Sequence, residues 1–249
     1  MAEPQPVLFV GAGPGSADLL TLAAARALDQ AQVVIHDRLV GAEVLALIGP
    51  AALRVEAGKQ GFGPATPQDA ISALIVTHAR RGLRVVRLKG GDPGLFGRLD
   101  EETAALDAAG LTWRVIPGIT AAVAAAAGLG VSLTRRGRNG SVRLVTGHDV
   151  AGFAEQDWRG LARPGEVAAI YMGKRAARFV QGRLMMHGAD PATPVTLVEN
   201  AARPDERVVP ATLAGLPAAA QGLTGPVVML YGLTPRAGIA ALAPREVRA

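Results

Sequence analysis

A two-part α/β fold is predicted by three observations. Short apolar runs alternate with helical stretches through the first half of the chain. Glycine-rich turns close several of those runs. The second half repeats the alternation with a looser rhythm. Strands separated by crossover helices argue for a parallel sheet with helices on its faces. We place the junction near Pro117, giving an N-terminal domain 1–117 and a C-terminal domain 118–249. A chain of 249 residues suits two domains of roughly 100–150 residues each.

The elements follow in order. Residues 7–10 form an apolar run stopped by Gly11, a buried strand. Residues 18–30 carry Leu19, Leu20, Leu22, Ala23 and Ala27 on a helical period. Strands are expected at 33–35 and 53–55, with a short helical stretch between them. Thr66, Pro67 and Asp69 form a helix start, with a hydroxyl cap, a proline at the first position and an acid in the first turn. That helix runs to about Arg81 and stops at Gly82. Residues 83–88 are a strand with β-branched Val85 and Val86, 100–109 a helix closed by Gly110, and 113–116 a strand. Beyond Pro117, strands are expected at 142–146, 167–171, 195–198 and 227–231, and helices at 121–129, 175–187 and 213–221. Residues 207–210 are expected to add an antiparallel strand.

Composition excludes several classes. The chain has no cysteine, so disulfides, thiolate nucleophiles, iron–sulfur clusters and cysteine-built zinc sites are out. Its four histidines are far apart, and no metal is expected. The N-terminus lacks the pattern of an export signal, and a cytoplasmic location is the expectation. The uncharged stretch 115–134 is rich in Ala and Gly and contains Pro117, so it reads as a tightly packed helix rather than a membrane span. The net charge is +5, carried almost wholly by arginine, with aromatics at only 4%. Without basic runs interleaved with stacking rings, nucleic acid is not the expected partner. A small polycarboxylate suits separate, forked arginine donors.

Motifs at the ends of strands carry the chemistry. GAGPG at 11–15 is either a dinucleotide-binding turn or a bare strand-to-helix turn. Ser16 holds the place of the third fingerprint glycine, and Pro14 removes a backbone N–H from the phosphate cradle. KGGDP at 89–93 ends the strongest strand, where ligands of open parallel sheets bind, and its two glycines admit a ligand close to the main chain. The alternative is a turn with Pro93 at its second position. Asp37, in HDRL at 36–39, is a general base, a ribose ligand or a cap for the helix at Gly41. Lys59 ends the third strand and Arg98 follows the Asp92 loop, so three charged groups stand at strand ends. Thr120 and Ala121 open an alanine-rich helix. Met172, in YMGK at 171–174, reads on its own as core filler.

Taken together, GAGPG, HDRL, the glycine–lysine pair at 58–59, GGDP followed by FGR, PGITA at 117–121, TGH at 146–148, YMGK and Glu199-Asn200 occur in one order over nearly the whole chain. This set resembles the tetrapyrrole methylases, class III methyltransferases, and within them the uroporphyrinogen-III C-methyltransferases. The resemblance implies two α/β domains with S-adenosyl-methionine in the cleft between them, and a homodimer. It implies methylation of uroporphyrinogen III at C-2 and C-7 to give precorrin-2, without a metal. By motif, Pro14, Gly90, Gly91, Asp92, Leu95, Thr120, Ala121, Met172 and Ala201 would line the methyl-donor site. Asp37 would be the general base, Lys59 a proton donor, and Arg98, with Arg38, would engage substrate. The chain departs from the pattern at His36, Gln60, Gly94, Leu99-Asp100 and Arg135. A methyltransferase of a later precorrin and a non-catalytic binding homologue are the alternatives.

Overall fold

A computed structural model describes residues 5–57, 67–149 and 152–237. The chain divides into two compact units, Met1–Thr120 and Ala121–Ala249.

The first unit contains β1 (Val7–Gly11), α1 (Leu22–Gln30), β2 (Val33–His36), α2 (Ala42–Ala46), β3 (Leu53–Glu56), α3 (Gln68–Arg80), β4 (Val85–Lys89), α4 (Leu99–Ala108) and β5 (Trp113–Ile116). The strands lie in the order β3-β2-β4-β1-β5, every pair parallel. Successive side chains of a strand face opposite sides, so each strand feeds two cores. Val10, Val34, Val86 and Leu88 pack with Ala24, Leu28 and Val44 on one face. Phe9, Val33, Ile35 and Val85 pack with Ile71, Ile75 and Leu106 on the other. The same alternation turns Arg87 and Lys89 toward α3 and α4.

Two helix starts differ from the sequence reading. The stretch 18–30 is not one helix. Ser16 accepts from the Asp18 N–H and heads a 3-10 turn at Ala17–Leu19, and Thr21 accepts from the Ala24 N–H and starts α1 afresh. Two hydroxyl caps five residues apart break the helix. At α3, Pro67 occupies the capping position itself, without a side-chain cap, and Thr66 lies outside the described residues.

The second unit contains α5 (Ala121–Gly128), β6 (Arg143–Thr146), β7 (His148–Asp149), β8 (Gly152–Phe153), α6 (Trp158–Leu161), β9 (Ala168–Tyr171), α7 (Ala177–Met186), β10 (Pro194–Glu199), β11 (Arg207–Thr212), α8 (Leu216–Ala219) and β12 (Val227–Tyr231). Its main sheet runs β11-β10-β12-β9-β6. Only β6 and β9 pair in parallel; the other three pairs are antiparallel. The expected antiparallel strand at 207–210 is β11, two residues longer. The expected helix at 213–221 shrinks to the single turn of α8. Ala122, Ala125 and Ala126 of α5 pack on Ala169, Val198, Val228 and Leu230. The opposite face holds Ile170, Leu197 and Met229 against Val180, Leu184 and Trp158. Among the described residues, no helix is long and apolar enough to cross a membrane.

Candidate active site

Parallel strands bring their carboxyl ends to one edge, and the motif loops of the first unit emerge there. They are stitched together through the main chain. Gly13 N–H donates to the Gly91 carbonyl at 3.1 Å, and Gly91 N–H returns a bond to Gly13 at 2.7 Å. Both glycines hold φ at +68°. A Cβ on Gly118 would lie 2.2 Å from the Gly91 oxygen and 2.8 Å from Gly11 Cα, so three loops touch backbone to backbone. Asp92 fastens them: Oδ1 accepts from Gly94 N–H at 2.8 Å and Oδ2 from Gly118 N–H at 2.9 Å. The Gly13 and Gly91 N–H groups are thus spent on each other rather than arranged as a phosphate cradle, which disfavours the dinucleotide reading of GAGPG. What remains is a glycine-lined main chain that a ligand without a pyrophosphate can approach closely. Leu95 closes the turn after Asp92, its N–H donating to the Asp92 carbonyl at 3.2 Å.

Asp37 follows β2 at the same edge. Its Oδ1 accepts from the Arg87 guanidinium at 2.5 Å. Arg87 is buried, and it also grips both oxygens of buried Glu102 on α4. Lys89 Nζ lies 3.0 Å from each Glu102 oxygen, and Gln68 of α3 adds a fourth donor at 2.9 Å. Burial opposes the charge on every member, and the attractions decide the outcome. For Arg87, burial pulls the pKa down, but Asp37 and Glu102 outweigh it and hold the group above its ordinary value. For Glu102, burial pushes up, but Arg87 and Lys89 hold it below the usual glutamate range. For Lys89, burial and the nearby Arg87 win, and its pKa is lowered.

The other first-unit candidates lie nearer the surface. Arg98 is exposed, sits in the left-handed region at φ +55°, and pairs with Glu101 at 2.6 Å. Arg38 is exposed, Pro14, Gly90 and Thr120 are half-buried, and Lys59 lies outside the described residues.

In the second unit, Met172 overturns its reading as core filler. It follows β9 with its side chain 50% exposed and holds φ at +52°, a conformation that non-glycine residues avoid. Ala201 is buried between Asn200 and Ala202, both also at positive φ. Glu199 supports the neighbouring turn by accepting from the N–H groups of Thr224 and Gly225. Ala121 opens α5, and the next N–H, of Ala122, is taken by the Tyr171 hydroxyl at 3.0 Å.

Motif reading did not single out Arg87 or Glu102. The available signal was a cation at alternate positions, 87 and 89, of an otherwise apolar strand, which puts both charges on one buried face and demands an acid there.

The family model for tetrapyrrole (corrin/porphyrin) methylases matches residues 6–217. The chain belongs to the tetrapyrrole methylase family. It is similar to siroheme synthase 3 of Aeromonas hydrophila, 44% identical over 226 residues, which are 91% of this chain and 48% of that protein. It is 46% identical to the siroheme synthase of Edwardsiella ictaluri, over 91% of this chain and 49% of that one. The chain spans about half the length of these curated relatives. Among solved structures, the uroporphyrin-III C-methyltransferase of Thermus thermophilus complexed with S-adenyl homocysteine matches with a TM-score of 0.79 and 37% identity, over 92% of this chain and 97% of that one. A cobalt precorrin-4 methyltransferase matches with a TM-score of 0.81 and 27% identity, over 91% and 94%.

Proposed function

We propose that this tetrapyrrole methylase is an S-adenosyl-methionine-dependent uroporphyrinogen-III C-methyltransferase that methylates C-2 and C-7 to give precorrin-2. The observation that carries this reading is the likeness, at 37% identity over 97% of its chain, to a uroporphyrin-III C-methyltransferase bound to the demethylated donor. The likeness to a cobalt precorrin-4 enzyme supports a second reading, a methyltransferase of a later precorrin, at lower identity.

We assign Pro14, Gly90, Gly91, Asp92, Leu95 and Thr120 of the first unit, and Ala121, Met172 and Ala201 of the second, to the donor. The glycine-lined edge and the outward-turned Met172 fit such a ligand. The sulfonium, when bound, supplies an electrophilic methyl group. As a pyrrole carbon of the substrate gains its new bond, the ring N–H becomes acidic, and Asp37 accepts that proton. Arg87 holds Oδ1, so Oδ2 is the oxygen assigned to the proton. Lys59 is assigned as a proton donor. Arg38 and Arg98 are assigned to the substrate's carboxylates, Arg98 by exchanging its exposed Glu101 partner for a substrate carboxylate. The reading extends to a homodimer in the cytoplasm.

An anaerobic assay with uroporphyrinogen III and methyl-labelled S-adenosyl-methionine tests it. Two labelled methyl groups per macrocycle and the precorrin-2 chromophore are expected. No incorporation by a protein that binds S-adenosyl-homocysteine would refute the substrate assignment, and incorporation only into later precorrins would select the second reading.

A further inference from the structure

His148 has no role in the site assigned above, yet its ring is locked onto one of that site's residues. Its Nδ1 lies 3.1 Å from the main-chain oxygen of Met172. A carbonyl oxygen only accepts, so Nδ1 carries a proton and donates it. Holding that oxygen fixes the peptide that follows Met172, and with it the left-handed turn. A left-handed conformation is costly for a non-glycine residue, so it persists only where the surroundings enforce it.

Those surroundings are specific. Gly147 N–H donates to the Tyr171 carbonyl at 2.7 Å, continuing the β6–β9 pairing past its end. A Cβ on Gly147 would lie 2.8 Å from Gly173 Cα and 3.1 Å from the Met172 oxygen, so the two turns run in contact. The His148 backbone is tied by Thr146, whose hydroxyl donates to the His148 carbonyl at 2.8 Å. The imidazole meets Phe153 edge-on at 5.0 Å, Phe153 stacks on Phe179 at 5.0 Å, and Phe179 abuts Trp158 at 5.8 Å. A short hairpin, β7 with β8, thus braces a ring whose polar edge holds the Met172 turn.

We propose that His148 is a positioning residue for the methyl-donor site: its Nδ1–H sets the left-handed turn that presents the Met172 side chain, and through it the affinity for S-adenosyl-methionine. The inference rests on the functional reading above and adds a positioning residue to it.

The test uses the full chain, with S-adenosyl-homocysteine as the probe in calorimetric titration. His148→Phe keeps the aromatic stack and removes the donor, and His148→Asn restores an N–H near the Nδ1 position. His148→Phe is expected to bind the probe about tenfold more weakly, the scale of one lost hydrogen bond. The KM for S-adenosyl-methionine should rise in step, with kcat within about twofold of wild type, as for loss of uniform binding. His148→Asn is expected to recover most of the affinity. Wild-type binding with unchanged affinity in His148→Phe overturns the inference alone, and so does an equal loss in both variants, which would make the ring rather than its N–H responsible. A wild type that binds no probe overturns the functional reading and the inference with it.

Discussion

Arg87 donates to Asp37 Oδ1 at 2.5 Å from a side chain 2% exposed to one 30% exposed, so a buried cation orients a carboxylate at the solvent edge. The contact crosses the β2–β4 pair, where Ile35 lies opposite Arg87 and Asp37 N–H donates to the Leu88 carbonyl. Both the backbone and one oxygen of Asp37 are therefore fixed before any ligand arrives.

Replacing Asp37 by Asn keeps the shape and removes the proton acceptor. Turnover is expected to fall by roughly 10²–10⁴, the usual worth of a general base. Affinity for S-adenosyl-homocysteine is expected to stay within about twofold of wild type, because the loss lies in a step after binding. Single-turnover methyl transfer and calorimetry read the two quantities separately. Unchanged turnover removes the base role.

Glu102 is the hub of the cluster behind Asp37. Glu102→Gln leaves Arg87 and Lys89 buried with Asp37 as the only nearby carboxylate of the cluster. Breaking a buried ion pair from one side typically costs about 3–5 kcal/mol, and that loss is expected in urea unfolding. Adding Lys89→Met to Glu102→Gln is expected to recover part of it, since one uncompensated charge then leaves the interior.

The same cluster gives the stability a pH dependence. Glu102 is held below its ordinary value in the folded state, burial being outweighed by Arg87 and Lys89. A depressed acid stabilises the fold at pH above its unfolded value, and that share is lost as pH falls toward the folded one. Lys89, lowered by burial and by Arg87, acts in the alkaline range, where stability gains as pH rises because the unfolded chain keeps the proton longer. The melting temperature is therefore expected to drop below about pH 5, with a shallower drop in Glu102→Gln. Identical acid limbs in the two proteins would exclude Glu102 as a source.

The middle of the first sheet was legible because β1, β2 and β4, buried on both faces, read as apolar runs between helices. The strands at 113–116 and 227–231 fall where the pattern puts them. The pattern could not show that Ser16 and Thr21 each start a turn, since either hydroxyl alone would cap one helix. The β7–β8 hairpin has two residues on each side, too few for any period to register. The motif residues of the loops were visible as glycines and charges. Their real partners were not: Arg87 meets Glu102 from 15 positions away and Asp37 from 50, distances only the fold closes. Met172 looked like filler because nothing in a Tyr-Met-Gly-Lys string states the sign of φ.

Gly118 tests the stitched edge. A methyl group there would press into the Gly91 oxygen and Gly11 Cα, both backbone atoms that cannot rotate away. Gly118→Ala is expected to cost about 1–3 kcal/mol and to weaken S-adenosyl-homocysteine binding by moving the Asp92 loop. Gly140→Ala, with open space around its Cβ position, is the matched control and is expected to change neither. Equal melting temperatures for Gly118→Ala and wild type would show that the loops are not held against each other.

Met172 separates stability from binding most sharply. At φ +52° with half its side chain in solvent, it has a backbone cost and little burial to offset it. Glycine adopts that conformation freely but loses more entropy on folding, so the two effects partly cancel. Met172→Gly is therefore expected to leave the stability within about 1 kcal/mol of wild type, on either side. A residue kept only for packing would instead lose about 2–5 kcal/mol on truncation. If the side chain is there to meet the donor, affinity for S-adenosyl-homocysteine falls while the fold holds, and Met172→Asp lowers it further by setting a desolvated charge against the ligand. Urea unfolding and calorimetric titration of the same preparations decide the matter. A large stability loss with unchanged affinity would return Met172 to the role of filler and take from the second unit its most exposed assigned donor contact.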